Sequence, residues 1–241
     1  MNEASSTPLA RAASAAPRYL RVYVWQWPVR AFHWATAAAV TMLFATGLYI
    51  AFPILTTNGE PYDNFLMARV RQVHFFAAFV FLVAYLWRAA FFVLGNRYAR
   101  SGFPFLWRLA WWRAVARQAV DYVRFDFGEP HLGHNSLAGL SYALVPVGVG
   151  LLQMLTGFAL FAESNPGGFW DGLVGWVIPL LGGSARTHQW HHLFAWVFLA
   201  FAIVHVYIVV LDARQYGNGL LSSMITGFKF EREGQEETDE L

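Results

Sequence analysis

Residues 188–211 read HQWHHLFAWVFLAFAIVHVYIVVL. From Gln189 to Leu211 this run carries no Asp, Glu, Lys or Arg. As a helix it is long enough to cross about 30 Å of hydrocarbon. A titratable ring inside such a segment is costly and marks a functional site by default. His191 and His205 stand 14 positions apart in it. At 100° per residue that step returns to within about 40° of the same face, and at 1.5 Å rise it separates the rings by roughly 21 Å. One helix therefore presents two imidazoles to one interior seam at two membrane depths.

Three further spans are expected around it. Residues 31–59 carry no charged side chain, and 31–52 are apolar until Pro53 breaks the run. Residues 70–94 form a second span, with Arg71 at its outer edge and its interior interrupted only by Arg88, and with a stop signal at Gly95-Asn96. Residues 137–162 form a third, and 189–211 the fourth. His33 lies on the first span and His74 on the second. The connector 53–69 is polar. The connector 97–135 alternates six arginines with Trp107, Trp111, Trp112 and other aromatics, which reads as a basic, aromatic helix lying on the membrane surface. The connector 164–187 is rich in Gly and Pro, and its apolar stretch 168–181 is too short to span, so a re-entrant or surface helix is expected. Residues 1–20 read as a disordered tail, lacking the apolar core and cleavage site of a signal peptide. Residues 21–228 read as one transmembrane domain, and 229–241 as a disordered acidic tail.

Composition agrees. Of 241 residues, 57% are hydrophobic, 18% aromatic and only 13% charged, against about 25% charged in ordinary soluble domains. The formal charge of +2 is too small to imply nucleic acid as a partner. There is no cysteine, which excludes disulfides, cysteinyl iron–sulfur clusters and covalent c-type haem. A redox centre would have to rest on histidine or methionine. The expected fold is an all-α membrane protein, a four-transmembrane-helix bundle with an interfacial connector.

Basic residues set the orientation. Arg11, Arg18, Arg21 and Arg30 precede the first span, six arginines lie in 97–135, and Arg214, Lys229 and Arg232 follow the last span. The other two connectors hold only Arg69, Arg71 and Arg186. The positive-inside rule then makes both termini and the second connector cytoplasmic. Depth follows from this. His74 and His191 lie toward the outer face, and His33 and His205 toward the cytoplasm. Each level receives two imidazoles, so two bis-histidine haem sites are the natural reading.

The 14-residue step tests the other helices. From His33 it reaches Gly47, where a missing side chain would let a porphyrin edge approach. From His74 it reaches Arg88, a candidate partner for a haem propionate, as is Arg71. On the third span it relates Ala143 to Gly157, a second place for haem packing; small residues there also suit plain helix–helix contact. Of the adjacent His191 and His192, only His191 shares a face with His205. His188 and His192 stand four apart but have no third ligand nearby. His131 and His134 read as interfacial. With both axial positions filled by imidazole, no position is left for oxygen or substrate, so the sites suit electron transfer. A proton relay or non-redox anchor built on the same histidines is the alternative from another class.

The stretches RAFHWATAAAVTMLFATG (30–47), NFLMARVRQVHFF (64–76), GNRYAR (95–100), GHN (133–135), LTGFAL (155–160), HQWHHL (188–193), HVY (205–207) and SSMITG (222–227) together resemble the b-type cytochrome subunits of membrane-bound nickel–iron hydrogenases, a di-haem cytochrome b561-like family. The resemblance runs over roughly residues 20–230. It implies two b-type haems, with axial ligands at His33, His74, His191 and His205. It implies a bacterial cytoplasmic (inner) membrane protein that passes electrons from the iron–sulfur small subunit of a hydrogenase, whose large subunit holds nickel and iron, to the quinone pool. The hydrogen chemistry would lie on those partners. Related cytochromes serve formate dehydrogenases and thiosulfate reductases, which is the alternative assignment of partner.

Overall fold

The computed structural model describes residues 19–54, 64–101, 105–125, 132–217 and 219–232. The polar residues 58–63, His131, the N-terminal tail up to residue 18 and the acidic residues beyond Arg232 lie outside the described residues. Four helices are long and apolar enough to cross a membrane. They are α1 (Trp27–Ala51), α2 (Leu66–Leu94), α4 (Ser136–Ala162) and α7 (Ser184–Tyr216). Between α2 and α4 lies α3 (Leu109–Val123), and between α4 and α7 the short α5 (Phe169–Val174) and α6 (Val177–Leu180). The last helix is α8 (Leu220–Thr226).

Each span runs past its apolar stretch because the polar ends still form helix. Pro28 opens α1 in its first turn, where a missing N–H costs nothing. Gly217, in the left-handed region at φ 60°, closes α7. Outward-facing apolar side chains such as Val83, Leu86, Ile203 and Val206 stay exposed on the bundle, as lipid rather than water requires.

Helix α4 is not regular. Its middle, Ala143–Val149, is a π turn containing Pro146. Proline has no N–H to give, so the ladder is interrupted there. From α2, the Tyr85 hydroxyl donates to the Val147 carbonyl at 2.8 Å, which satisfies a backbone acceptor at this irregularity.

The connectors carry structure. Helix α3 buries Trp111 and Val115 and leaves its remaining aromatic and basic surface outward. It is tied to the start of α4: Asn135 Nδ2 donates to Tyr122 Oη at 2.7 Å and Leu137 N to Gln118 Oε1 at 2.9 Å. Helices α5 and α6 send Val174 and Val177 into the bundle core, and Trp170 stacks on Phe158 with ring centroids 4.4 Å apart.

From sequence, residues 1–20 and 229–241 read as tails. Instead, β1 (Tyr19–Tyr23) pairs antiparallel with β2 (Phe228–Arg232), with Arg21 opposite Phe230. This ribbon belongs to a cap built on Val24, Trp25, Val29, Tyr98, Ala99 and Leu132. Gly227 joins α8 to β2 at φ 89°, and a Cβ on it would lie 2.7 Å from the Trp25 carbonyl oxygen. Only glycine fits that corner. Arg30 Nη1 donates to the Ile225 carbonyl and Trp34 Nε1 to that of Met224 at 2.9 Å, so α1 satisfies the last carbonyls of α8.

The core lies midway along the spans. Ala39, Phe81, Met154, Phe158, Ala159 and Phe198 belong to one buried cluster. Phe198 is seven residues from both His191 and His205, and Phe81 seven from both His74 and Arg88. Seven residues return to nearly the same helix face. The Phe81 and Phe198 rings meet edge to face, centroids 6.1 Å apart. An aromatic layer thus divides the bundle interior into two levels.

Candidate functional site: two histidine levels

The level of His33 and His205 is built by α1 and α7. The two rings face each other with centroids 6.4 Å apart and planes at 55°. Trp34 meets His33 edge-on at 5.2 Å and Phe201 stacks on His205 at 5.8 Å. His33 is half-buried, and its Nδ1 has no hydrogen-bond partner among the described residues. His205 is the most exposed of the four histidines.

The level of His74 and His191 is built differently. Thr46 Oγ1 lies 2.8 Å from His74 Nδ1, and Thr156 Oγ1 lies 3.0 Å from His191 Nδ1. Gln153 Nε2 donates to His191 Nε2 at 3.2 Å, while Gln153 Oε1 is buried without a partner among the described residues. His191 turns inward while His192 and His188 are exposed, as the face argument requires.

Gly47 and Gly157 do sit at this level, but each is filled by an imidazole. A Cβ on Gly47 would lie 3.3 Å from His74 Cε1, and one on Gly157 2.9 Å from His191 Cε1. The glycines therefore admit the histidine rings against the helix backbone. Ala143 loses its expected relation to Gly157, because a 14-residue step holds one face only along a straight α-helix and Ala143–Val149 is a π turn. At this depth it is Tyr142 that meets Arg88, with the guanidinium 5.0 Å from the ring centroid.

Arg88 points inward at the His33–His205 level. Its Nη2 donates to the Ala99 carbonyl at 2.9 Å, and it lies 5.6 Å from the Phe32 ring, next in sequence to His33. Arg71 is exposed at the opposite end of α2.

Sequence reasoning missed the polar cluster beneath this level. His134, expected at the interface, is held inside the cap: Ser101 Oγ lies 3.1 Å from its Nδ1, and Trp25 meets its ring edge-on at 5.2 Å. Burial, then the nearby Lys229 and Arg88 charges, push its pKa down to about 4. Lys229, placed in the tail by sequence, is 2% exposed in β2, with its ammonium 5.7 Å from the Trp25 ring. Burial lowers its pKa to about 8, against the favourable charge of Asp212. The signal that could have found it is that Lys229 is the sole lysine of the chain, standing in an apolar F-K-F run.

The sequence profile of prokaryotic cytochrome b561 matches residues 24–227. The chain belongs to that family. It is 36% identical over 211 residues to the probable Ni/Fe-hydrogenase B-type cytochrome subunit of Azotobacter chroococcum mcd 1, covering 86% of this chain and 88% of the relative. The subunit of the same name from Azotobacter vinelandii is 37% identical over 211 residues, with the same coverage. The probable Ni/Fe-hydrogenase 1 B-type cytochrome subunit of Escherichia coli K12 is 31% identical over 231 residues, covering 88% of this chain and 92% of the relative.

A cytochrome b561 is a b-type cytochrome, and the residues present fit haem. An imidazole nitrogen binds a first-row metal at about 2 Å, so two rings on opposite sides of one ion have centroids about 6 Å apart, as those of His33 and His205 do. A buried ring nitrogen without a partner, His33 Nδ1, is an atom whose satisfaction calls for a further group. Among the described residues no group of three or more His, Cys, Asp or Glu comes together around a metal position. The His33 and His205 rings are the pair whose spacing suits a metal held between two imidazoles.

Proposed function

We propose that this chain is the membrane-embedded di-haem b subunit of a nickel–iron hydrogenase, carrying electrons from the iron–sulfur (small) subunit at the outer face of the bacterial inner membrane to the quinone pool. The printed names of the relatives support the partner, and the basic residues of both tails and of 97–135 support cytoplasmic termini. The observation that carries the reading is the 6.4 Å separation of the His33 and His205 rings.

Bound haem supplies a reversible one-electron couple. The chain's own residues do the rest. His74 and His191 hold one group at the outer level, and His33 and His205 a second at the inner level. With two imidazoles for each group, neither would be open to oxygen or substrate, which suits electron transfer. Arg88 offers a cation to an anionic substituent at the inner level, and Arg71 stands at the outer end of α2. The Phe81–Phe198 contact places apolar rings between the two levels. Quinone would be reduced near the cytoplasmic side.

The purified chain should contain about two haems with low-spin, bis-imidazole b-type spectra. The His74→Ala/His191→Ala double variant should keep about one, measured as pyridine haemochrome per chain. Two haems surviving in that variant overturn the pairing. Co-purification with the hydrogenase subunits from the native membrane tests the partner.

A further inference from the structure

The outer level repeats one device twice. Helix α1 carries Thr46-Gly47 and helix α4 carries Thr156-Gly157. Each threonine hydroxyl spends its own proton on its helix: Thr46 Oγ1 donates to the Met42 carbonyl at 2.6 Å, and Thr156 Oγ1 to the Leu152 carbonyl at 2.8 Å. Its oxygen is then left to accept, so the nearby Nδ1 of His74 and of His191 must be the N–H partner. Beside each threonine a glycine lets the ring lie against the backbone. At His191 the other side of the ring is explicit, since Gln153 Nε2 donates to Nε2. Nε2 is therefore the lone-pair nitrogen of His191, held by the Gln153 amide where an iron would take the amide's place.

Neither ring of the inner level has a hydrogen bond of this kind among the described residues, and the Nδ1 of His33 is left without a partner there. The inner level instead faces Arg88, which lies 5.6 Å from the Phe32 ring beside His33.

These differences act in one direction. An acceptor on Nδ1–H makes the imidazole a stronger donor through Nε2 and favours the more positively charged, oxidised iron. A nearby cation favours the less positively charged, reduced iron. Resting on the di-haem reading above, we propose that Thr46-Gly47 and Thr156-Gly157 form a duplicated cradle that presents Nε2 of His74 and His191 to one iron and makes the outer haem the lower-potential member of the pair. An electron entering at the outer level then runs downhill to the inner level, with no bond made or broken. Thr46 and Thr156 are positioning residues that act through the two histidines.

The test is a redox titration of the haem α-bands in the purified complex. It is run on the wild type and on His33→Ala, which keeps only the outer haem. Thr46→Val and Thr156→Val should each raise the outer haem's potential and leave the inner one in place. Each lost acceptor should shift the electron partition between the haems by about tenfold, about 59 mV for one electron. Thr46→Ser and Thr156→Ser keep the oxygen and should titrate like wild type. If the serine variants move the potential as far as the valine variants, packing is responsible and the cradle is overturned. It is equally overturned if the valine variants leave the outer potential unchanged, or if the outer haem of the wild type proves the higher of the two. A wild-type chain with fewer than two haems overturns the electron-transfer reading itself, and the cradle with it.

Discussion

His191 and His205 stand on one face of one helix, 14 residues apart, yet their surroundings have little in common. His191 is pressed against α4, with Thr156 at 3.0 Å, Gln153 at 3.2 Å and Gly157 beneath its ring. His205 stacks on Phe201 of its own helix and looks across 6.4 Å to His33. Helix α7 supplies equivalent rings; the neighbouring helices supply the difference. Where α4 is a regular helix, from Gly150 to Ala162, its small and hydroxyl residues reach the ring. Where α4 becomes a π turn at Ala143–Val149, that contact ends and Tyr142 and Arg88 take the interior.

The largest effect that could break this comparison comes from filling the glycines. A Cβ on Gly157 meets His191 at 2.9 Å and is tighter than one on Gly47, which meets His74 at 3.3 Å. Gly157→Leu should displace His191 and lose the outer haem while the inner one persists, halving the haemochrome per chain. Gly157→Ala should weaken retention of the outer haem in thermal release more than Gly47→Ala does, and overpacking of this kind costs about 1–3 kcal/mol. Equal effects would show that the ring positions are not set by these contacts.

An intermediate effect should appear at the inner end on acidification. His134 ionises near 6.5 in an unfolded chain and only near 4 in the fold. The unfolded state therefore binds more protons between these values, and stability falls as pH falls through that window. About 2.5 units correspond to about 3 kcal/mol. Melting temperature in detergent should drop between pH 6.5 and pH 4, and His134→Gln should flatten that slope while lowering stability at pH 7. The cap, and with it the inner haem, should loosen before the outer one, which haem release followed at the two α-bands will read.

The smallest effect belongs to the boundary between levels. Tyr85→Phe removes the hydroxyl bonded to Val147 and should cost about 1 kcal/mol of stability. Both haem potentials should stay put, since Tyr85 touches neither pair. A shift confined to one haem would show that the π turn is coupled to that level.

The membrane class, the four spans and the inward face of α7 were legible because each depends on residues close in sequence. Hydropathy over some twenty residues fixes a span, and the 3.6-residue period fixes which side chains share a face. By that logic His191 was chosen over His192, and it is His191 that lies inside. The cap was not legible. Lys229 reads as the start of an acidic tail until β2 pairs with β1, more than two hundred residues away in the chain. His134 reads as a loop histidine until Trp25 and Ser101 close over it. The 14-residue step brings Gly47 and Gly157 to the level of His74 and His191, but their contact with the two rings depends on helix packing that no local pattern encodes.

What the sequence determined by itself is therefore the number of spans, their polarity of charge and the repeat that sets two histidine levels, because periodicity and hydropathy act along a single helix. Only the tertiary structure decided that Thr46 and Thr156 lie against the rings of one level and that Arg88 faces the other. Such contacts depend on how one helix is rotated and displaced against another, and packing across the bundle sets that orientation.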